Sequence, residues 1–323
     1  MNLHTVIKEL IHYATLAPSG HNTQPWLFSL KDDIIEIKPD YKRRLPIVDP
    51  DDHALFISLG CALENLIITA NHFGFSADIK YNLSEDKAEV IKVKLTESNE
   101  TKEASLFDAI TKRQATRNKY DGKPLTDSDI QSLKDIAKQE GVIFNIVTQD
   151  REIEPLIKFV KEGNILQFGN KEFVNELVSW IRFSKSDAEK KRDGIRSAVM
   201  GAPSIPQWFG KLIMKFNSGE KEANKCEDAI GNSSGLVLFI SEDNSKQNWI
   251  NVGRSFERFA LKATQLGIKH AHLNMPCEEF EVRERLQKHL GLSKEQQTLL
   301  LLRIGYSDPM PESLRRNVEE VII

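Results

Sequence analysis

Cysteine is scarce here: Cys61, Cys226 and Cys277 are far apart and odd in number. They exclude a disulfide framework, and nothing in their spacing fits a structural zinc site. Several cofactor and catalytic signatures are also missing. There is no G-x-G-x-x-G turn, no G-x-x-x-x-G-K-[ST] loop, no H-E-x-x-H helix and no G-x-S-x-G elbow. Any nucleotide-like ligand must therefore be held without a Rossmann or P-loop cradle. Charge of one sign is lacking too. The net charge is −3, which gives no broad attraction to nucleic acid. No apolar run is long enough to cross a bilayer. The first ten residues, MNLHTVIKEL, have neither the apolar core nor the cleavage pattern of a secretory signal. The expectation is a cytoplasmic protein with no nucleic-acid and no membrane partner.

What is present is an ordinary globular composition, 40% hydrophobic and 28% charged, in a chain of 323 residues. That length buries a large core in one or two domains. Residues 17–26 stand out: Ala-Pro-Ser-Gly-His-Asn-Thr-Gln-Pro-Trp. Pro18 stops the amphipathic run Leu3 to Leu16, Gly20 frees the backbone, and Pro25 leads into a strand-like run, Leu27 to Leu30. Between them lie Ser19, His21, Asn22, Thr23 and Gln24, more hydrogen-bonding side chains than a turn requires. A capped helix–strand turn and a loop built to meet a polar ligand both fit.

Two segments share a plan. Asp52 to Phe73 places Leu55, Leu59, Leu63, Leu66 and Ala70 at helical steps, ends at Gly74 and leads to strand-like Ser76 to Tyr81. Trp249 to Leu266 places Trp249, Gly253, Phe256, Ala260 and Ala263 on one face, ends at Gly267 and leads to strand-like Ile268 to Leu273. Small residues on both (Ser58, Gly60, Cys61 and Ala62; Gly253, Ser255, Ala260 and Ala263) permit close helix approach. Each half also feeds a helix into a strand: Val6–Leu16 into Trp26–Leu30, and Ser128–Gln139 into Val142–Val147. This pattern reads as an internal duplication, with halves 1–100 and 103–323 and a boundary in Thr96 to Lys102. An insertion at about 150–235 interrupts the second half. Its helical segments, about Ile153–Val160 and Lys171–Phe183, precede Asp193 to Gly210, which holds Ile195, Val199, Met200, Ile205, Trp208 and Phe209. A lid over a site and extra packing on a domain edge both fit this stretch.

Three further constellations carry chemistry. After a helix at Leu106 to Lys112 comes Arg113-Gln-Ala-Thr-Arg117. If that helix continues, the two arginines share a face and can grip a phosphate dianion. Gln114 adds a directional contact, and Lys112 and Lys119 make the patch more basic. A solvated basic face fits as well. Near the end, the strand-like Leu299 to Ile304 and Gly305-Tyr306 precede Arg315-Arg316, a second basic pair. Between them, His270 and His272 share a strand face, but no third ligand stands at a useful spacing. A satisfied structural pair is expected rather than a metal site. Pro276 ends that strand, and Asn274 offers donors beside it.

Taken together, these residues resemble the nitroreductase superfamily of flavin proteins. Ala17-Pro-Ser-Gly-His-Asn-Thr-Gln-Pro-Trp26 is similar to its signature loop, and Arg113-x-Ala-x-Arg117 to its phosphate motif. Gly60-Cys-Ala-Leu-Glu-Asn-Leu-Ile67 resembles its central helix, and Ile304-Gly-Tyr with Arg315-Arg316 its last strand and tail. Asp49-Pro50 followed by Ile57-Ser-Leu-Gly-Cys-Ala is closer to the Acg-like branch of long, internally duplicated members. The resemblance implies an α+β fold with a mixed sheet between helices, arranged as a pseudo-dimer, and non-covalently bound FMN. It implies that Arg113, Arg117 and Arg315 hold the phosphate and that Gln114 reaches the isoalloxazine edge. Pro18, Ser19, Gly20 and Asn22 come from the other half, and Leu273 and Asn274 approach the flavin N5. No side chain is nominated as catalytic and none as a metal ligand. The implied activity is hydride transfer from NAD(P)H to a nitroaromatic, quinone or similar small aromatic acceptor. The alternative is storage or sequestration of FMN under a closed lid, without NAD(P)H turnover.

The chain departs from the family pattern at Ala115, where a serine hydroxyl is lost, and at neutral Ser313. The first half has the signature loop but no Arg-x-x-x-Arg partner. The second half has the arginines but reads Ala137-Lys-Gln-Glu-Gly-Val-Ile-Phe144 where its own loop belongs. One complete site per chain, in a molecule able to act as a monomer, is the expectation.

Overall fold

The computed structural model describes residues 3–31, 33–84, 88–98 and 104–323. The first part of the chain forms α1 (Leu3–Thr15), β1 (Trp26–Lys31), β2 (Ile34–Pro39), α2 (His53–His72), β3 (Phe75–Asn82) and β4 (Val90–Glu97). Then come α3 (Ala104–Ile110), α4 (Asp127–Ile136) and β5 (Val142–Val147). Between β5 and the next long strand run α5 (Asp150–Gly169), α6 (Lys171–Trp180), β6 (Ile181–Arg182), α7 (Lys185–Lys191), β7 (Ile195–Arg196), α8 (Gln207–Lys215) and α9 (Gly219–Gly231). The chain closes with β8 (Gly235–Ser241), α10 (Lys246–Gln265), β9 (Lys269–His272), α11 (Met275–Glu278), α12 (Phe280–His289) and β10 (Gln297–Gly305). Of the expected boundary at Thr96 to Lys102, Glu97 ends β4 and residues 99–102 lie outside the described residues.

The fold is α+β. Strand order is β1-β2-β4-β3 in one sheet and β5-β8-β10-β9 in the other. Taken in chain order, both sheets follow the same 1-2-4-3 arrangement. Each also sends a long helix out between its second and third strands. The ladders within both sheets are antiparallel. Parallel pairing enters through single bridges, Phe28 with Ile322 and Ala115 with His270, and through the short β6–β7 pair. The first bridge matters for assembly. The Phe28 amide donates to the Val321 carbonyl at 2.7 Å, and the Ile323 amide donates to the Phe28 carbonyl at 2.8 Å. The end of the chain thereby seals the exposed edge of the first sheet.

The long helices α2 and α10 cross at the centre. A Cβ on Gly60 would stand 2.0 Å from the Ile250 carbonyl oxygen, and one on Gly253 would stand 2.0 Å from that of Ile57. The contacts are reciprocal at the same sequence offset, so the crossing is a local pseudo-two-fold axis. The small residues read from the sequence are what lets the backbones touch. The Asp49 carboxylate starts α2 by accepting from the Ala54 and Leu55 amides at 3.0 and 2.9 Å. Around the crossing, Trp26, Phe28, Phe56, Phe239, Phe256 and Phe259 are fully buried. Each contributes about 1.5–3 kcal/mol through the apolar surface it removes from water.

β8 and β10 are apolar on both faces because both are covered. One face meets the main core, while Leu236, Leu238 and Leu301 meet Leu156, Val160 and Ile230 from α5 and α9. The insertion is therefore also the outer layer of the second sheet. Helix α2 corrects one sequence reading. By length and composition it could cross a membrane, but 89% of its apolar window is buried inside the protein. It is a core helix.

Candidate functional site

The loop after α1 turns sharply. His21, Asn22 and Gln24 all have left-handed backbone, with φ of 49°, 55° and 55°. Such angles cost of order 1 kcal/mol or more in non-glycine residues, so surrounding contacts must hold them. They do. The Asn22 side-chain amide donates to the carbonyls of Gly194 at 3.0 Å and Leu314 at 3.1 Å, and its oxygen accepts from Arg315 Nη1 at 3.1 Å. Gln24 is fully buried, donates to the Arg192 carbonyl at 2.9 Å and accepts from the Arg316 amide at 2.7 Å. The hydrogen-bonding side chains of this loop thus knit together the insertion and the C-terminal tail.

Beside the loop lies a cavity of about 350 Å³. Pro18, Ser19, Gly20 and Asn22 of the loop line it, as do Ile57, Ser58 and Cys61 of α2. Arg113, Gln114, Arg117, Asn274 and Arg315, from later in the chain, line it as well. The insertion contributes Gln167, Phe173, Leu177, Ile195 and Val199. Nine of the ten residues singled out in sequence therefore meet at one cavity. Leu273 does not. Strand alternation turns His272 to the cavity and Leu273 away, into the core with Leu156 and Leu286. The Leu273 amide is committed as well, donating to the Leu301 carbonyl at 2.8 Å. Asn22 is corrected in another way. It borders the cavity, but the partners named above occupy both ends of its amide.

The phosphate-type motif is not on a helix. Helix α3 stops at Ile110, and Ala115 bridges to His270 while the Thr116 amide donates to the His270 carbonyl at 2.8 Å. The arginines converge because this extended segment lies along β9, not because four residues make a helical turn. Gln114 is half committed: its oxygen accepts from the Met310 amide at 2.6 Å and so anchors the tail.

The electrostatics are those of a crowded cationic chamber. Arg113 Nε stands 3.3 Å from Glu257 Oε1, with both groups buried. Neither that nitrogen nor either Glu257 oxygen has a well-formed hydrogen bond among the described residues. Burial pushes the Glu257 carboxyl up to about 7 against the pull of Arg113. Arg315 is lowered to about 9, first by desolvation and then by the charge of Arg113, and its Nε has no hydrogen-bond partner among the described residues. His21 and His272 are both lowered to about 4 by desolvation, with Arg117 beside each. Burial lowers His270 too, with Arg113 adding to it. Neither of its ring nitrogens has a hydrogen-bond partner among the described residues. The histidine pair expected to be satisfied is therefore not satisfied at His270; both rings pack on Phe256, 5.5 and 5.2 Å between centroids.

Sequence reasoning missed Glu257, Glu278 and Phe173 at or beside the site. Glu257 left a signal: a charged residue one turn after Gly253, on the helix face that carries the small residues. Glu278 and Phe173 had none, because their place depends on how the insertion folds back.

The pseudo-equivalent position across the helix crossing is different. Glu64, related to Glu257 by the same offset as Gly60 to Gly253, binds Arg254 Nε at 2.8 Å and Arg258 Nη1 at 2.9 Å. There the carboxylate makes short hydrogen bonds to both arginines. At the other side the three arginines Arg113, Arg117 and Arg315 share the cavity with Glu278 and Glu312, and the Glu257 oxygens have no hydrogen-bond partner among the described residues.

The insertion lies across the cavity and is tied down. The Gly194 amide donates to the Asn22 carbonyl at 3.1 Å, which completes a reciprocal pair with the Asn22 side-chain bond. Asp193, buried, accepts from both terminal nitrogens of Arg43 at 2.9 Å and from Arg182 at 3.0 and 2.7 Å. Arg192 Nε reaches the Arg315 carbonyl at 2.7 Å. Of the apolar residues read from this stretch, Ile195 and Val199 face the cavity, whereas Trp208 and Phe209 are exposed.

No protein-family model matches the chain. Its homologues are Acg-like proteins described as NAD(P)H nitroreductases, similar over the full length. It is 24% identical over 336 aligned residues to "Putative NAD(P)H nitroreductase Rv3131" of Mycobacterium tuberculosis, covering 100% of this chain and 93% of the relative. To "Putative NAD(P)H nitroreductase acg" of the same species it is 23% identical over 326 residues, covering 98% and 95%. Among solved structures, the FMN-dependent nitroreductase NfnB from Mycobacterium smegmatis in complex with NADPH aligns over 67% of this chain and 96% of its own. The identity there is 11% and the TM-score 0.43.

Proposed function

We propose that this protein binds one FMN non-covalently in the seam cavity and acts as an NAD(P)H-dependent flavin oxidoreductase. One observation carries the reading. Arg113, Arg117 and Arg315 converge on a single cavity whose wall also carries Glu278 and Glu312, while Glu257 stands beside Arg113 with its carboxyl pushed up to about 7 by burial. Buried like charges repel unless an anion joins them, and a phosphate dianion matches guanidinium groups in charge and geometry. The Nε atoms of Arg113 and Arg315, without a hydrogen-bond partner among the described residues, fit that demand. The cavity volume lies within the usual range for a small ligand, roughly 300–1,000 Å³.

Arg113, Arg117 and Arg315 would hold the phosphate. The Ser19 hydroxyl, whose oxygen already accepts from the Gln24 amide at 2.9 Å, keeps its proton to donate, and so does the free amide end of Gln114. Ile57, Phe256, Leu300, Ile195 and Val199 supply an apolar wall that excludes water from a flat ring. Bound FMN would supply the redox chemistry, taking hydride from NAD(P)H and reducing a nitroaromatic, a quinone or a similar acceptor. No side chain is needed as acid or base. The matched strand orders and the Gly60–Gly253 crossing support an internally duplicated pseudo-dimer that functions as a monomer. The three free cysteines suit a reducing, cytoplasmic setting.

A second reading has its own observation. The Asn22–Gly194 pair and the Asp193 clasp hold the insertion down, and a cover that stays down suits FMN storage rather than turnover. The visible spectrum of the purified protein, before and after anaerobic NAD(P)H, separates the two. A yellow protein that bleaches within turnover times supports the oxidoreductase. Persistent colour supports storage. A colourless protein that takes up no added FMN rules out both.

A further inference from the structure

We propose that α8 is a docking element for an anionic lipid surface. The helix sits with its apolar side outward. Its inner face is made by Gly210, where an added Cβ would lie 2.2 Å from the Phe183 ring, and by Gln207, which bonds the Phe183 amide and the Ile181 carbonyl at 3.3 Å. Its outer face carries Trp208, Phe209, Leu212, Ile213 and Phe216, all exposed, with Trp208 at 70% and Phe216 at 82%. At 3.6 residues per turn these five fall within an arc of about 140°. Isolated exposed apolar residues need no explanation, but a continuous aromatic and aliphatic stripe does. The other tryptophans are more enclosed, with Trp26 and Trp249 buried.

Charge identifies the occupant. Between residues 185 and 222 the chain has eight basic residues, Lys211 and Lys215 of α8 among them, against the five acids Asp187, Glu189, Asp193, Glu220 and Glu222, a local positive excess in a protein that is net negative. Asp193 is consumed by Arg43 and Arg182. Lys211 is exposed beside the stripe, whereas Lys185 of the preceding helix, whose backbone amide donates to the Ser204 hydroxyl, is paired with Glu189, and Lys191 with Asp187. Trp, Phe and Leu on one face with lysine at the border is the pattern of a helix lying in a bilayer interface, drawn there by anionic headgroups. A second copy of the chain fits less well, because a symmetric contact would bring two equally basic segments together. The same insertion lines the cavity through Ile195 and Val199, so docking would place the covered site next to the lipid. The proposal does not depend on FMN.

Flotation of the purified full chain with phosphatidylcholine vesicles, with and without phosphatidylglycerol, tests it. The expected result is flotation only with the anionic vesicles, weakened by high salt. Trp208→Ser combined with Phe216→Ser should reduce partition at least about tenfold, and Lys211→Gln roughly fivefold. Circular dichroism and thermal melting verify that the variants fold, and Lys211→Gln alone touches no packed contact. Failure of the wild type to float with anionic vesicles overturns the proposal, and so does flotation undiminished in the double variant. It is equally overturned if sedimentation velocity shows a dimer that the double variant disperses while vesicles recruit nothing, since the stripe would then belong to a second copy.

Discussion

Arg113 and Arg117 are related by a spacing of four residues in sequence and by an extended segment against β9 in the structure. Replacing both with alanine should remove charge-assisted hydrogen bonds worth about 1.5–3 kcal/mol each. FMN affinity should fall roughly ten- to a hundredfold per residue, read as loss of flavin fluorescence quenching on titration. Unchanged retention in a folded double variant would end the phosphate assignment. The buried titratable groups predict a pH signature in the cofactor-free protein. His21 and His272 are lowered from 6.5 to about 4, so the unfolded chain binds more protons between those values and stability falls as pH drops through them. Glu257 is raised from 4.5 to about 7, so the folded chain holds its proton and stability instead rises as pH drops from about 7 toward 4.5. Thermal melting should therefore show a shallower acid loss in His272→Gln and a steeper one in Glu257→Gln. Equal slopes in all three proteins would contradict these assignments.

At the scale of elements, the helix crossing and the insertion clasp have distinct consequences. A methyl on Gly60 or Gly253 meets backbone carbonyl oxygen, which cannot move like a side chain. Gly60→Ala should cost at least about 1–3 kcal/mol, measured by chemical denaturation, and Gly253→Ala a similar amount. The near-equality is itself a test of the pseudo-two-fold axis. Asp193→Asn weakens the buried link between Arg43 and Arg182 that holds the insertion. Flavin release and anaerobic reduction by NADPH should both accelerate in that variant, in stopped-flow mixing. If reduction speeds up only in the variant, the wild-type cover is the barrier and the storage reading gains. Most of these elements were legible in sequence. The helical steps of Leu55, Leu59, Leu63 and Leu66 mark α2, and the apolar run from Leu299 marks β10. β2 and β4 were not recognised although the signal was there, Ile35 and Ile37 alternating with Glu36 and Lys38, and Ile91, Val93 and Leu95 with Lys92 and Lys94. The end of α3 at Ile110 was missed because a tertiary bridge to His270 overrides the helical spacing of the arginines.

For the whole molecule, the decisive property is asymmetry between the two sides of the α2–α10 crossing, although the two sheets share one strand order. Glu64 hydrogen-bonds both Arg254 and Arg258 at one side of the crossing, whereas at the other Arg113, Arg117 and Arg315 gather near Glu257, whose oxygens have no hydrogen-bond partner among the described residues. The prediction is one FMN per chain, from the ratio of flavin absorbance to protein. A ratio near two would mean that the Glu64 side also binds.

The sequence alone determined the paired helices, the small residues at their crossing, and the split of loop and arginines between the halves. Those depend on local periodicity, backbone freedom and residue chemistry, which neighbours in sequence express. Only the tertiary structure decided that Asn22 and Gln24 are spent on the insertion and tail, that Leu273 turns inward, and that α8 shows its apolar side to solvent. Each of those outcomes depends on which distant segment lies against the residue, and one-dimensional spacing carries no record of that.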